Sequence, residues 1–128
     1  MKNEQTEKNK KLILVVEDDS VSRALLLEVL KKKDVDHHFA KSGEDARDFI
    51  ATHGAPHIVL MDIRLPDISG IDLTKEILSQ YPEVIIIAQT AFANMSMEEN
   101  CMRAGMKAFL TKPLNRSLVE SVLDSFLT

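Results

Sequence analysis

Glu17-Asp18-Asp19, Asp62, Thr90 and Lys112 are the residues of this sequence whose types and spacing could do chemistry together, because each stands at the end of a short apolar run. Leu12-Ile-Leu-Val-Val16 leads into the consecutive acids, and Ile58-Val-Leu-Met61 stops abruptly on Asp62, with turn residues following from Pro66 to Gly70. Val84-Ile-Ile-Ile-Ala88 runs into Gln89-Thr90-Ala91, and Lys107 to Thr111 runs into Lys112-Pro113. Alone, Asp62 reads as a turn or helix-capping aspartate. Beside a second acidic cluster it reads differently: carboxylates about 5 Å apart repel by roughly 3 kcal/mol at an effective dielectric near 20, and three such contacts approach about 10 kcal/mol. A cation must offset that. Oxygen ligands select a hard divalent ion, and an incomplete carboxylate set completed by water favours Mg²⁺ over a caged Ca²⁺. An aspartate beside Mg²⁺ and a lysine suits a nucleophile towards phosphorus, since carboxylates form acyl phosphates and phosphoryl transfer depends on positioning and charge neutralisation. Lys112 shares in that neutralisation, and the Thr90 hydroxyl could donate to a phosphoryl oxygen.

These residues meet only if the apolar runs are neighbouring strands of one sheet, and the periodicity of the chain predicts that. Leu12–Val16 is too short for a helix and has the continuous apolar character of a central parallel strand. Ser20 caps a helix whose apolar positions Val21, Leu25, Leu26, Val29 and Leu30 recur at helical spacing through Lys33. Val35–Ala40 is a weaker strand, and its Asp36, His37 and His38 suit a sheet edge. Ser42 and Gly43 open a second helix that turns Ala46, Phe49 and Ile50 inward and ends at Gly54-Ala-Pro56. After the Asp62 strand come a helix over Ile71–Gln80 burying Leu73 and Ile77, the strand Val84–Ala88, a helix over Met95–Ala104 stopped by Gly105, and a last strand over Lys107–Thr111. Asn115 starts the closing helix, with Leu118, Val119, Val122, Leu123 and Phe126 as its inner stripe. Strands alternating with helices need right-handed crossovers, hence a parallel sheet covered on both faces. The number of units predicts a flavodoxin-like, doubly wound α/β sheet of order 2-1-3-4-5 in three α/β/α layers. In that order the first and third strands are adjacent, and every site candidate lies at the same C-terminal edge, where open α/β sheets bind ligands.

At 128 residues the chain is one domain by length, and we divide it into a loose tail or linker over residues 1–10 and a folded unit over 11–128. A net charge of −4 argues against direct contact with nucleic acid or an anionic membrane surface. With no long apolar run and no signal peptide, membrane insertion is not expected and the cytoplasm is the expected location. The single cysteine, Cys101, excludes an internal disulfide and a multi-cysteine metal site.

Four motifs in order, Leu14-Val-Val-Glu17-Asp18-Asp19, Leu60-Met-Asp62-Ile-Arg-Leu-Pro66 with Gly70 beyond, Gln89-Thr90-Ala91 and Phe109-Leu-Thr-Lys112-Pro113, make residues 11–128 resemble the receiver domains of two-component response regulators, the CheY-like fold. The resemblance implies that Asp62 is the phosphoacceptor, taking a phosphoryl group from a histidine on a kinase or phosphotransfer protein. It implies Mg²⁺ held by Asp18 and Asp62 directly, by Glu17 through water and by the backbone carbonyl of Arg64. Thr90, Phe109 and Lys112 become the switch hydroxyl, the switch aromatic and the phosphate-binding cation; Asp19 has no role in the pattern and reads as a solvated or capping residue. Phe109 stands where many relatives have tyrosine, so a switch needing the phenol hydroxyl is not available. Arg64 lies where the family varies, and its side chain could reach over the acyl phosphate. The Lys112-Pro113 bond is the expected cis peptide.

Phosphorylation adds one to two negative charges and three acceptor oxygens. Inverting a two-state equilibrium from 1:99 to 99:1 takes about 5.5 kcal/mol, and a hydrogen bond to a charged group gives about 1.5–3 kcal/mol. Thr90, Lys112 and the metal together reach that sum, while Thr90 alone does not. The expected switch moves Thr90 towards the phosphoryl group and lets Phe109 fill the space, reshaping the surface of the fourth helix, fifth strand and fifth helix. Two other readings compete: an aspartyl-phosphate phosphatase or phosphotransferase of haloacid-dehalogenase type, which would want its nucleophile after the first strand, and an inert receiver-like interaction module. The expected partners are a kinase or phosphotransfer donor and a downstream protein or a covalently linked kinase, as in hybrid sensor kinases, with the domain a monomer or weak dimer. Met95, Met97, Met102 and Met106 read chiefly as core filling. His37-His38 read as a solvated edge, His53 and His57 as loop residues, and Lys31-Lys-Lys33 as cations at a helix end that need no partner.

Overall fold

The computed structural model describes residues 10–128; the expected tail therefore lies, but for its last residue, outside the described residues. The elements are β1 (Lys11–Val16), α1 (Ser20–Leu30), β2 (Val35–Ala40), α2 (Gly43–His53), β3 (Ile58–Asp62), α3 (Gly70–Gln80), β4 (Ile85–Thr90), α4 (Met95–Arg103), β5 (Ala108–Thr111) and α5 (Arg116–Leu127). All strand pairings are parallel, in the order β2-β1-β3-β4-β5. That is the predicted flavodoxin-like sheet.

Alternate residues of each strand feed two cores. Leu14, Val16, Val59, Met61, Ile86 and Ala88 face α2, α3 and α4, packing on Ala46, Phe49, Leu73, Ile77 and Cys101. Ile13, Val15, Ile58, Leu60 and Ile87 face α1 and α5, packing on Leu26, Val29, Val119 and Leu123. β3 is buried along its whole length, as a strand covered on both faces must be. Burying an Ile or Leu side chain contributes about 1.5–3 kcal/mol, so these central strands anchor the loops at their ends. β2 is an edge strand of alternating burial, as its polar residues predicted.

Several local expectations need correction. Asp19 rather than Ser20 caps α1, its Oδ2 accepting from the Ser22 amide at 3.0 Å, because its extended backbone turns the carboxylate back over the first turn. Val21 is 76% exposed and Leu118 50% exposed, so neither belongs to its helix's inner stripe; each stands in a first turn, ahead of the residues that reach the sheet. α1 stops at Leu30, and Lys33 pairs with Asp124 of α5 at 2.7 Å, tying the two helices of that face together. β4 runs on through Gln89 and Thr90, whose ladder partners Leu110 and Thr111 keep them in the sheet. His53 closes α2 and stacks on Phe49, which also stacks on His38. Met106 is buried in the core, but Met95 (78% exposed) and Met102 (46%) lie on the outer face of α4. The Lys112-Pro113 bond is cis. No helix among the described residues is long and apolar enough to cross a membrane.

Candidate functional site

The sheet register assembles the site. β1 pairs with β3 through Val16↔Met61, so one residue further on Glu17 comes beside Asp62. Glu17 is held there as a continuation of β1, its amide donating to the Ala40 carbonyl at 2.9 Å. Carboxylate oxygens of Glu17, Asp18 and Asp62 all lie within 4.8 Å of one another. Glu17 is fully buried, Asp62 is nearly so, and Asp18 is exposed. The predicted meeting of acids from neighbouring strands is therefore present, at close to the separation the repulsion argument assumed.

Lys112, cantilevered from the end of β5, supplies the cation. Its Nζ is 2.7 Å from Glu17 Oε1 and 3.4 Å from Asp62 Oδ2, so its tighter partner is Glu17 rather than Asp62. Burial pushes the Glu17 carboxyl up to about 7, against the Lys112 hydrogen bond that lowers it and with the Asp62 charge that raises it further. Burial alone would lower the Lys112 ammonium, yet the hydrogen bond and charge of Glu17, with Asp62 behind, hold it above its ordinary value. Glu17 Oε2 also accepts from the Asp19 amide at 2.9 Å, which fixes its rotamer.

Asp62 Oδ1 accepts from the Arg64 amide at 3.1 Å. The Lys112 amide donates to the Thr90 carbonyl at 2.8 Å, and the Phe92 amide donates to the Thr90 hydroxyl at 3.0 Å. Thr90 is buried, and Phe109, half-buried, packs against the same core as Met97 and Ala88. The expected reach of Arg64 over the acceptor is not what the structure holds: its guanidinium lies 3.8 Å from the centre of the Phe92 ring. The contact joins the loop after β3 to the loop after β4, and a planar cation gains more on an aromatic face than in open solvent.

The loop that carries Arg64 is closed by Gly70, whose amide donates to the Ile63 carbonyl at 2.8 Å. A side chain at Gly70 would collide with the Asp62 carbonyl oxygen and stand 2.9 Å from the Ile63 Cα, both rigid backbone. Gly70→Ala is accordingly expected to lower stability by about 2–3 kcal/mol and to weaken metal binding with it; urea unfolding with and without Mg²⁺ measures both. Asp67 of the same loop accepts from the Gly43 and Glu44 amides at 2.8 and 2.9 Å, anchoring the loop on the first turn of α2. Sequence reasoning missed that anchor and the Phe92 partner of Arg64, since no local pattern joins residues 24 and 28 positions apart.

The oxygen-only donor set, two of its carboxylates buried and three in mutual contact range, fits a hard divalent cation, with Glu17, Asp18 and Asp62 as the groups that would hold it.

A family model described as the response regulator receiver domain matches residues 13–124. The oxidative stress response two-component system protein SSK1 of Candida albicans is 35% identical over 135 residues, an alignment covering 80% of this chain and 20% of that protein. The polar-differentiation response regulator DivK of Brucella ovis is 29% identical over 119 residues, covering 91% of this chain and 96% of that protein. Among solved structures, the BeF3-activated receiver domain of DrrB, from Thermotoga maritima, superposes with a TM-score of 0.83 at 28% identity over 92% of this chain and 97% of that one. The chain thus spans a fifth of the length of SSK1 and nearly all of DivK.

Proposed function

The chain belongs to the response regulator receiver family of two-component systems, a family of signalling modules, and from that premise we propose that Asp62 accepts a phosphoryl group from a partner phosphohistidine. The observation that carries this reading is the pairing of Lys112 with both Glu17 and Asp62 at the edge where Asp18 completes the acidic cluster. Asp62 is the nucleophile: one of its oxygens attacks phosphorus, the bond to the donor nitrogen breaks, and that electron pair stays with the histidine. Asp18, Asp62 and the Arg64 carbonyl, with Glu17 through water, would hold Mg²⁺, which when bound would neutralise the phosphoryl oxygens. Lys112 exchanges part of its contact with Glu17 for one of those oxygens. Thr90 gives up the Phe92 amide and turns its hydroxyl to another, Phe109 moves into the space, and the surface of α4, β5 and α5 changes.

The phosphatase reading is not favoured, because the acceptor candidate closes the third strand, whereas that reading wants its nucleophile after the first. We place the functional unit at residues 11–128, with residues 1–10 as a linker, acting in the cytoplasm as a monomer or weak dimer. Its partners are a histidine kinase or phosphotransfer protein as donor and a downstream protein, or a linked kinase, as receiver of the signal. Incubation with acetyl phosphate and Mg²⁺ followed by intact mass tests the reading: a single hydroxylamine-labile phosphoryl adduct that a chelator prevents is expected, and a protein without an adduct contradicts it.

The Arg64–Phe92 stack bears on how long the adduct lasts, because it ties the two loops flanking the acceptor. Cation–π contacts of this kind contribute about 1 kcal/mol, so Arg64→Ala is expected to shorten the phosphoryl lifetime about fivefold as the loops loosen and water enters. The decay of the adduct after removal of acetyl phosphate measures it.

A further inference from the structure

Gln89 is the one polar side chain in the middle of this arrangement to which neither the family pattern nor the reading above gives a task. It is fully buried, and neither its Oε1 nor its Nε2 has a hydrogen-bond partner among the described residues. Burying both ends of a carboxamide unpaired is costly, and natural interiors seldom keep such a group without use for it.

Its position says what the use is. Gln89 is the ladder partner of Asp62 on β3 and of Leu110 on β5. In-register residues of parallel strands share a face, and the residues two positions earlier, Leu60 and Ile87, both lie in the core beneath α1 and α5, as does Leu110. Glu17, one step past the Val16↔Met61 pair, extends the same line. Glu17, Asp62 and Gln89 therefore form one transverse polar row at the edge of the sheet. Lys112, two residues beyond Leu110, bridges over it to Glu17 and Asp62. Below the amide lie Ile58, Leu60 and Ile87. The polar groups its register offers are an acceptor on one side, Asp62, and a donor above the other, Lys112, which match its two ends.

We propose that Gln89 is a positioning residue of the phosphoacceptor: when Asp62 is phosphorylated, Nε2–H donates to the aspartyl carbonyl oxygen and Oε1 accepts from the Lys112 ammonium. This rests on the assignment of Asp62 above and adds a determinant of phosphoryl lifetime. In hydrolysis a water oxygen bonds to phosphorus and the bond from phosphorus to the Asp62 oxygen breaks. The electron pair returns to the carboxylate, and the proton leaves with inorganic phosphate. A donor on the aspartyl carbonyl stabilises that departing carboxylate, and the Oε1 contact holds Lys112 over the acceptor rather than on Glu17.

Gln89→Met keeps the length of the side chain and removes both polar ends. The expected result is a variant that unfolds at higher urea than the wild type, because an unpaired amide has left the core, yet whose adduct decays about tenfold more slowly. A more stable variant with the wild-type decay rate would make Gln89 a mere packing defect and overturn the proposal. A measurement on the wild type covers the case of a variant that does not fold. In ¹⁵N spectra assigned through the backbone, adding beryllofluoride to the Mg²⁺-loaded protein is expected to displace one Gln89 side-chain amide proton downfield while those of Gln80, at the end of α3, stay. Unmoved Gln89 protons would equally overturn the proposal. A wild-type protein that forms no adduct removes the Asp62 assignment itself, and the two failures are told apart by intact mass.

Discussion

Asp62→Asn is expected to take up no phosphoryl group from acetyl phosphate and, in the absence of metal, to be more stable than the wild type. The first half follows from chemistry: the carboxamide is nearly isosteric but offers phosphorus no anionic oxygen. The second follows from charge. Asp62 stands within 4.8 Å of two other carboxylates, in a site where Glu17 is fully buried. Like charges about 5 Å apart at an effective dielectric near 20 repel by roughly 3 kcal/mol, part of which Lys112 already offsets. Removing one charge while the 2.7 Å Lys112–Glu17 pair stays intact should therefore raise stability by about 1–2 kcal/mol. Loss of function with a gain in stability is the signature of a residue kept for its reaction. Intact mass and urea unfolding read the two halves separately. An Asn variant that still forms the adduct moves the acceptor elsewhere, and one that is destabilised denies that the acids strain the metal-free fold.

Lys112→Met has the opposite sign. The ammonium is the cation that the structure sets between Glu17 and Asp62, and its side chain is only 14% exposed. Removing one partner of a buried ion pair commonly costs about 3–5 kcal/mol. Glu17 reduces that cost by taking up a proton, which its carboxyl, pushed up to about 7, does readily once the lysine has gone. A loss of about 2 kcal/mol is expected, seen as a fall in the thermal midpoint of roughly 10 °C. On the alkaline side the sign with pH is fixed by the raised Lys112 ammonium, whose contribution is lost as pH rises through the folded lysine value, above its ordinary range; on the acid side the pair weakens as Glu17, its carboxyl pushed up to about 7, takes up a proton. Added Mg²⁺ should stabilise Lys112→Met more than the wild type, because the metal no longer meets a competing cation. A variant with the wild-type midpoint and the wild-type response to Mg²⁺ would show that Lys112 does not balance the acids.

The sheet was legible in the sequence because its signal is strong: Ile13–Val16 and Ile58–Met61 are unbroken apolar runs, and only strands buried on both faces carry such runs over so few residues. The site was legible for a related reason. Glu17 and Lys112 each stand one step past a strand and Asp62 closes one, so the strand order alone brings them together. The first turns of helices were less legible. Val21 and Leu118 fit the helical period but stand ahead of the point where the helix meets the sheet, and periodicity does not report depth. The contacts across loops were not legible at all. Arg64 finds Phe92, and Asp67 finds the first turn of α2, through the folded approach of three loops. Gln89 is an intermediate case: a lone amide closing an apolar strand was visible, but that both its ends would be buried without partners is a fact of packing.

Reduction of the phosphorylated protein with borohydride tests the central claim most directly, because hydride converts an aspartyl phosphate to homoserine and leaves free carboxylates alone. Peptide mass spectrometry after reaction with acetyl phosphate and Mg²⁺ should find homoserine in place of Asp62, and nowhere else in the chain. Homoserine at Asp18 or Asp19, or a phosphoryl group retained on a hydroxyl such as Thr90, would contradict the assignment.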